Sequence, residues 1–167
     1  MYKRQRPVLP DGVHTFGTQT HPADGNSGLC VTTREKAREL SADPKMEIRI
    51  VSFGFARTKK AFMAAAVAPS AQMALANAGI KASDLAVINT HNPFAANDIV
   101  MAKVMGLDAN TMNNFGSSLI YGHPQAPTGA RSMVEGIEEL ATKGGGYLLF
   151  SGCAAGDTAA SVVLKVG

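Results

Sequence analysis

A chain of 167 residues has the length of one ordinary domain, and folding at that size removes about two thirds of the surface the unfolded form exposes. With 46% hydrophobic and 17% charged residues the composition is globular, and a net charge of +3 with 6% aromatics suits an anionic ligand but not a nucleic-acid binder. Cys30 and Cys153 stand too far apart for a disulfide framework or a zinc spacing, so neither a metal centre nor a permanently bound cofactor is expected. No apolar run approaches the roughly 20 residues of a membrane span. "MYKRQRPVLP" has no apolar stretch behind its basic residues, so the cytoplasm is the default compartment.

Residues 1–26 read as an extended Pro/Gly/His-rich segment, and 27–167 as the folded domain. "GLCVTT" (28–33) suits a buried strand with Cys30 in the core. "TREKAREL" (33–40) reads as a helix capped by Thr33. In "MEIRIVSFGFA" (46–56), Met46, Ile48 and Ile50 alternate with Glu47 and Arg49, which predicts a strand with one solvated face. "SAQMALANAGI" (70–80) is a helix ending at Gly79, followed by a strand over 85–90. "FAANDIVMAKVMGL" (94–107) is a helix stopped by Gly106, and a polar loop runs on to "YGHP". The next helix shows Ala130, Val134, Ile137 and Ala141 at helical spacing, with Glu135, Glu138 and Glu139 on its exposed side. Strands at 147–152 and 159–166, joined by 153–158, predict an antiparallel hairpin. The alternation is that of an α/β fold with a mixed sheet.

Three stretches of reactive character fall at strand ends or before a helix, where sites assemble in α/β sheets: "THNPF", "YGHP" and "SGCAAG". They allow His91, His123 and Cys153 to converge. Gly122 and Pro124 restrain the backbone on both sides of His123, a costly arrangement unless the ring has to be aimed.

"YGHPQAPTGAR", "HNPFAAND" and "SGCAAG", in this order and spacing, resemble the blocks of the thiolase superfamily, and "ADGNSGLCVTTREKAREL" resembles the segment opening a thiolase's C-terminal half. His91, in place of the usual asparagine, is similar to the sterol-carrier-protein type and archaeal thiolases. The resemblance implies a mixed five-stranded sheet covered by helices, one half of the two-domain thiolase core, with residues 1–26 a remnant of the preceding loop region. It implies that His123 activates a nucleophilic cysteine and holds the thioester oxyanion. His91 would assist as an oxyanion donor, directly or through a water. Cys153 would be the acid/base at the acyl α-carbon, its thiolate favoured by the histidines. Phe94, Gly122, Pro124 and Gly156 are the candidate substrate- and coenzyme A-binding positions. Lys3, Arg4 and Arg6 would approach the coenzyme A phosphates or form a solvated tail.

No block matches the family's nucleophilic cysteine, which lies in the other half. The resemblance therefore implies a subunit of an acyl-CoA C-acyltransferase that makes or breaks a carbon–carbon bond in a β-keto acyl-CoA, with coenzyme A as co-substrate. An N-terminal-type thiolase chain would supply the nucleophile, in a dimer of such heterodimers. One helix would be buried on two sides against a partner's sheet, either 124–143 or, favoured for its small residues, the Ala-rich 70–79. A separately encoded subunit, a processed product and a fragment all remain open. So do a non-catalytic structural subunit and a decarboxylating or hydrolytic relative.

Overall fold

The sheet is built from β1 (Ile48–Arg57), β2 (Leu85–His91), β3 (Gly146–Ala154) and β4 (Thr158–Val166), in the order β1-β4-β3-β2. This computed structural model describes residues 5–167; Lys3 and Arg4 of the basic cluster lie outside the described residues, and Arg6 is exposed. β2 and β3 are parallel, and β4 is antiparallel to both β3 and β1. The expected hairpin is present, with Cys153 opposite Ala159. Because β2 and β3 run the same way, His91 and Gly152 are paired at the carboxyl end of the sheet.

Helices cover both faces. On one side lie α2 (Val67–Ala78) and α3 (Ala95–Met105), around a core of Val67, Ala71, Ala74, Leu75, Ile88, Met101, Leu149 and Val163. On the other side α5 (Thr128–Lys143) packs Ile137 and Leu140 against Val87, Leu148, Leu164 and Val166. α1 (Arg34–Leu40) and the one-turn α4 (Ser118–Tyr121) complete the set. Thr33 caps α1 by accepting the Lys36 N–H, as its position predicts. Helices α2 and α3 stop at Gly79 and Gly106, also as predicted. α2 lies so close to β1 that a Cβ on Gly54 would sit 2.4 Å from Ser70 O and 2.5 Å from Ala74 N.

Four expectations change. The sheet has four strands, because residues 28–33 are not part of it. The ends of that segment are tied elsewhere: Ser27 Oγ donates to Pro127 O at 2.7 Å, and Arg34 pairs with Glu47 at 2.8 Å. Cys30 is consequently exposed, not in the core. In β1 the register slips between Ile50 and Ser52, a bulge at Val51. The slip re-phases the alternation, so Ile48, Ile50, Phe53 and Phe55, opposite Val166, Leu164, Val162 and Ala160, all share the α5 side of the sheet. α5 reaches over β2 and β3 and leaves them 48–65% exposed. Finally, Glu139 is buried, not solvated: its Oε1 accepts from Asn114 Nδ2 at 2.7 Å and Lys143 Nζ at 2.6 Å, fastening the 108–117 loop to α5.

Candidate active site

The carboxyl ends of β2 and β3 open into a cleft of about 500 Å³ lined by His91, His123, Gln125, Thr128, Gly152 and Cys153, among others. The imidazoles of His91 and His123 lie with centroids 4.3 Å apart, tilted by 35°. The structure thus brings together the three residues that sequence order alone allowed to meet.

His91 ends β2, and its Nδ1 lies 3.2 Å from Cys153 O. A carbonyl only accepts, so Nδ1 carries the proton and the neutral ring presents a bare Nε2. That Nε2 is buried and has no hydrogen-bond partner among the described residues. Burial, and next the proximity of His123, lowers the pKa of His91 to about 4. Below it, a polar cluster sets the strand end. Asp98 accepts from Thr90 Oγ1, from Asn92 Nδ2 at 2.6 Å and from Asn113 Nδ2 at 3.2 Å, while Asn113 Oδ1 accepts the Thr90 N–H at 2.7 Å. Burial raises the Asp98 pKa.

His123 follows Gly122, whose φ of +87° suits a residue without Cβ, and a Cβ there would meet Ala23 Cβ at 2.6 Å. The His123 N–H donates to His21 O at 2.8 Å, and Arg131 Nη1 donates to Gly122 O at 3.4 Å. The His123 Nδ1 lies 2.8 Å from the hydroxyl of buried Thr128. When that hydroxyl donates, the Nε2–H of His123 is left as a donor. Burial, then the charge of Arg131, lowers the His123 pKa as well. Cys153 is the last buried residue of β3, and Asn97 Nδ2 donates to its sulfur at 3.3 Å.

The model of the thiolase C-terminal domain family matches residues 44–166, about three quarters of the chain. The chain belongs to the thiolase family. Among its relatives are the 3-ketoacyl-CoA thiolases of Photobacterium profundum (32% identical, spanning 98% of this chain and 42% of that protein) and Aliivibrio fischeri strain MJ11 (33%, 99% and 41%). The chain therefore spans about two fifths of the length of these relatives. The acetyl-CoA acetyltransferase of Bacillus anthracis superimposes with a TM-score of 0.86 at 27% identity, over 97% of this chain and 41% of that one. Human mitochondrial 3-ketoacyl-CoA thiolase, solved in complex with CoA, shares the fold with a TM-score of 0.80 at 22% identity, over 96% and 40%.

None of the remaining candidate positions of this thiolase domain lines the cleft itself. Phe94 lines an adjoining apolar groove of about 540 Å³ that shares Met63 with the cleft. Gly122 and Pro124 lie behind His123, against Ala23 and Gly25, and Gly156 is in the exposed turn between β3 and β4. One chemical expectation reverses: burial raises the Cys153 thiol pKa, and the hydrogen bond from Asn97 offsets only part of that rise. Sequence reading missed Asn97, Thr128, Asp98 and Asn113. Their signal was polar side chains a few residues from the two histidines, but partner choice across 62 residues, as between His91 and Cys153, is not visible in spacing. The reading also missed that residues 18–23 strap the two histidine loops together. Thr20 N–H donates to Pro93 O at 2.8 Å, and Thr20 Oγ1 donates to Ser118 O at 2.6 Å.

Proposed function

We propose that this chain is the C-terminal half of a thiolase-type acyl-CoA C-acyltransferase that acts on a β-keto acyl-CoA with coenzyme A as co-substrate. The observation that supports it best is the meeting of two neutral imidazoles and one thiol in a single cleft. The only other cysteine, Cys30, is exposed and does not line the cleft, so the acyl-accepting thiol comes from an N-terminal-type thiolase chain. The open face of β1 and the unpaired 28–33 segment are apolar surfaces such a chain would cover. The assembly is then a dimer of heterodimers in the cytoplasm. The Ala-rich α2 presents Pro69, Gln72 and Ala76 outward for the close approach of a second layer.

In cleavage, the partner's thiolate attacks the β-keto carbon and His123 donates from Nε2 to the oxygen that becomes negative. His91, with a bare Nε2, acts through a water: it accepts one water proton while the other points at the oxyanion. As the tetrahedral centre collapses, the bond between the α- and β-carbons breaks. Its electron pair takes the Cys153 proton, releasing the acyl-CoA that carries the α-carbon and leaving the shortened acyl group on the cysteine. The Cys153 thiolate then takes the proton of coenzyme A, whose thiolate attacks the acyl-cysteine, releasing the shortened acyl-CoA and the partner's thiolate. A buried, protonated thiol suits this acid role, and in synthesis its thiolate removes the α-proton. Phe94 contacts the substrate from the apolar groove, Gly122 and Pro124 shape the His123 loop, and Gly156 lies in the turn that follows Cys153.

The test is mass spectrometry of the assembled protein after incubation with acyl-CoA. Acylation of a partner cysteine is expected, and His123→Ala slows it about 10²–10³-fold because the oxyanion loses its donor. It persists in Cys153→Ala, which cannot make or break the carbon–carbon bond. Full turnover by Cys153→Ala would overturn the assignment and favour a structural subunit.

A further inference from the structure

Asn97, in the first turn of α3, is completely buried. Its amide is used in two directions. Oδ1 accepts the Phe94 N–H at 3.3 Å, and Nδ2 donates to Cys153 Sγ at 3.3 Å. This orientation is dictated: a backbone N–H only donates, so the atom facing Phe94 has to be the oxygen. Turning the amide over would set N–H against N–H and remove the cap of α3. The cap of a helix on one side of the sheet thus aims a donor at the sulfur on β3, the last buried atom before the cleft. We propose that Asn97 is a positioning residue for Cys153, holding its sulfur toward the cleft and stabilising the thiolate each time the thiol gives up its proton.

Sulfur is a weak acceptor as a thiol and a much better one as a thiolate, so the same N–H favours the charged form more than the neutral one. Burial acts on Cys153 in the opposite sense, and the Asn97 contact offsets part of it. A group that must release and recover one proton per turnover needs both effects: burial keeps the proton on when the carbanion calls for it, and the amide makes removal possible. The inference rests on the proposed acid/base role of Cys153, but its physical content is separable from turnover.

The experiment is peptide-resolved iodoacetamide alkylation of the protein in its native assembly across pH, read by mass spectrometry. N-acetylcysteine added to the same samples is the control on reagent and pH. Asn97→Leu should move the Cys153 midpoint upward by about one pH unit, since a hydrogen bond to a charged group is lost. Asn97→Asp keeps the size and the acceptor for Phe94 but faces the sulfur with an anionic oxygen, and should move it further; this variant serves where the leucine variant does not fold. The midpoint of the added thiol stays fixed in both. With acyl-CoA, both variants should still acylate the partner while carbon–carbon bond formation slows about tenfold. A Cys153 midpoint unmoved in both variants overturns the role of Asn97. A shifted midpoint in an assembly with no acyl transfer upholds Asn97 and removes the functional reading instead.

Discussion

The cleft at the carboxyl ends of β2 and β3 and the outer face of β1 are built on the same sheet but on opposite terms. At the cleft, polar atoms are tied to one another: Asp98 with three partners, Asn97 with two, His123 with Thr128 and His21. Among the described residues, the buried atoms left without a partner there include Nε2 of His91 and Oδ1 of Asn92. On β1, Ile48, Ile50, Phe53 and Phe55 form an apolar strip 48–65% exposed, and Leu29 and Val31 are exposed as well. Open apolar surface of this kind marks contact with another macromolecule, whereas a pre-ordered polar cleft marks chemistry. The chain holds its reactive groups in place by itself, while its outer layer lacks a cover.

Removing a cleft group should have the largest effect. His91→Ala is expected to lower turnover of the assembled protein by about 10²–10³ with the fold retained, measured by kcat and circular dichroism. An unchanged rate would remove His91 from the oxyanion site.

Acid should act on the same region. His91 titrates at about 4 in the folded chain against 6.5 for an ordinary histidine, so the unfolded chain takes up the proton first as pH falls. Its contribution is complete above about 6.5 and is lost as pH falls toward about 4, on the order of 3 kcal/mol. His123, also lowered, adds in the same direction. Denaturant midpoints across this range should fall with pH, with a shallower slope in His91→Gln.

The two faces of β1 should respond in opposite ways. Gly54→Ala forces a methyl into the α2 backbone and is expected to destabilise the chain by about 1–3 kcal/mol, read as a lower Tm. Phe53→Ser, on the open face, should leave the Tm of the isolated chain nearly unchanged. It should weaken assembly by roughly 1.5 kcal/mol, about a tenfold change in dissociation constant by sedimentation. A fall in Tm without a change in assembly would mean that the chain covers Phe53 itself.

Much of this molecule is written in local sequence. Apolar periodicity placed the four strands and the helices α2, α3 and α5 within a few residues, and Thr33, Gly79 and Gly106 marked helix ends, because capping and backbone conformation act over a single turn. The blocks around His91, His123 and Cys153 marked the cleft for the same reason: each loop's shape is set by its own glycines and prolines. Tertiary structure alone decided the rest. Whether 28–33 becomes a strand depends on whether it is laid along the free edge of β1, and the contacts of its ends with Pro127 and Glu47 are set by the fold. The side on which Phe53 and Phe55 emerge depends on the Val51 bulge against β4, more than a hundred residues away. The state of Cys153 depends on burial and on which way Asn97 is turned, and both come from packing α3 onto β3, so a cysteine that adjacency to histidines suggested would ionise easily is held protonated.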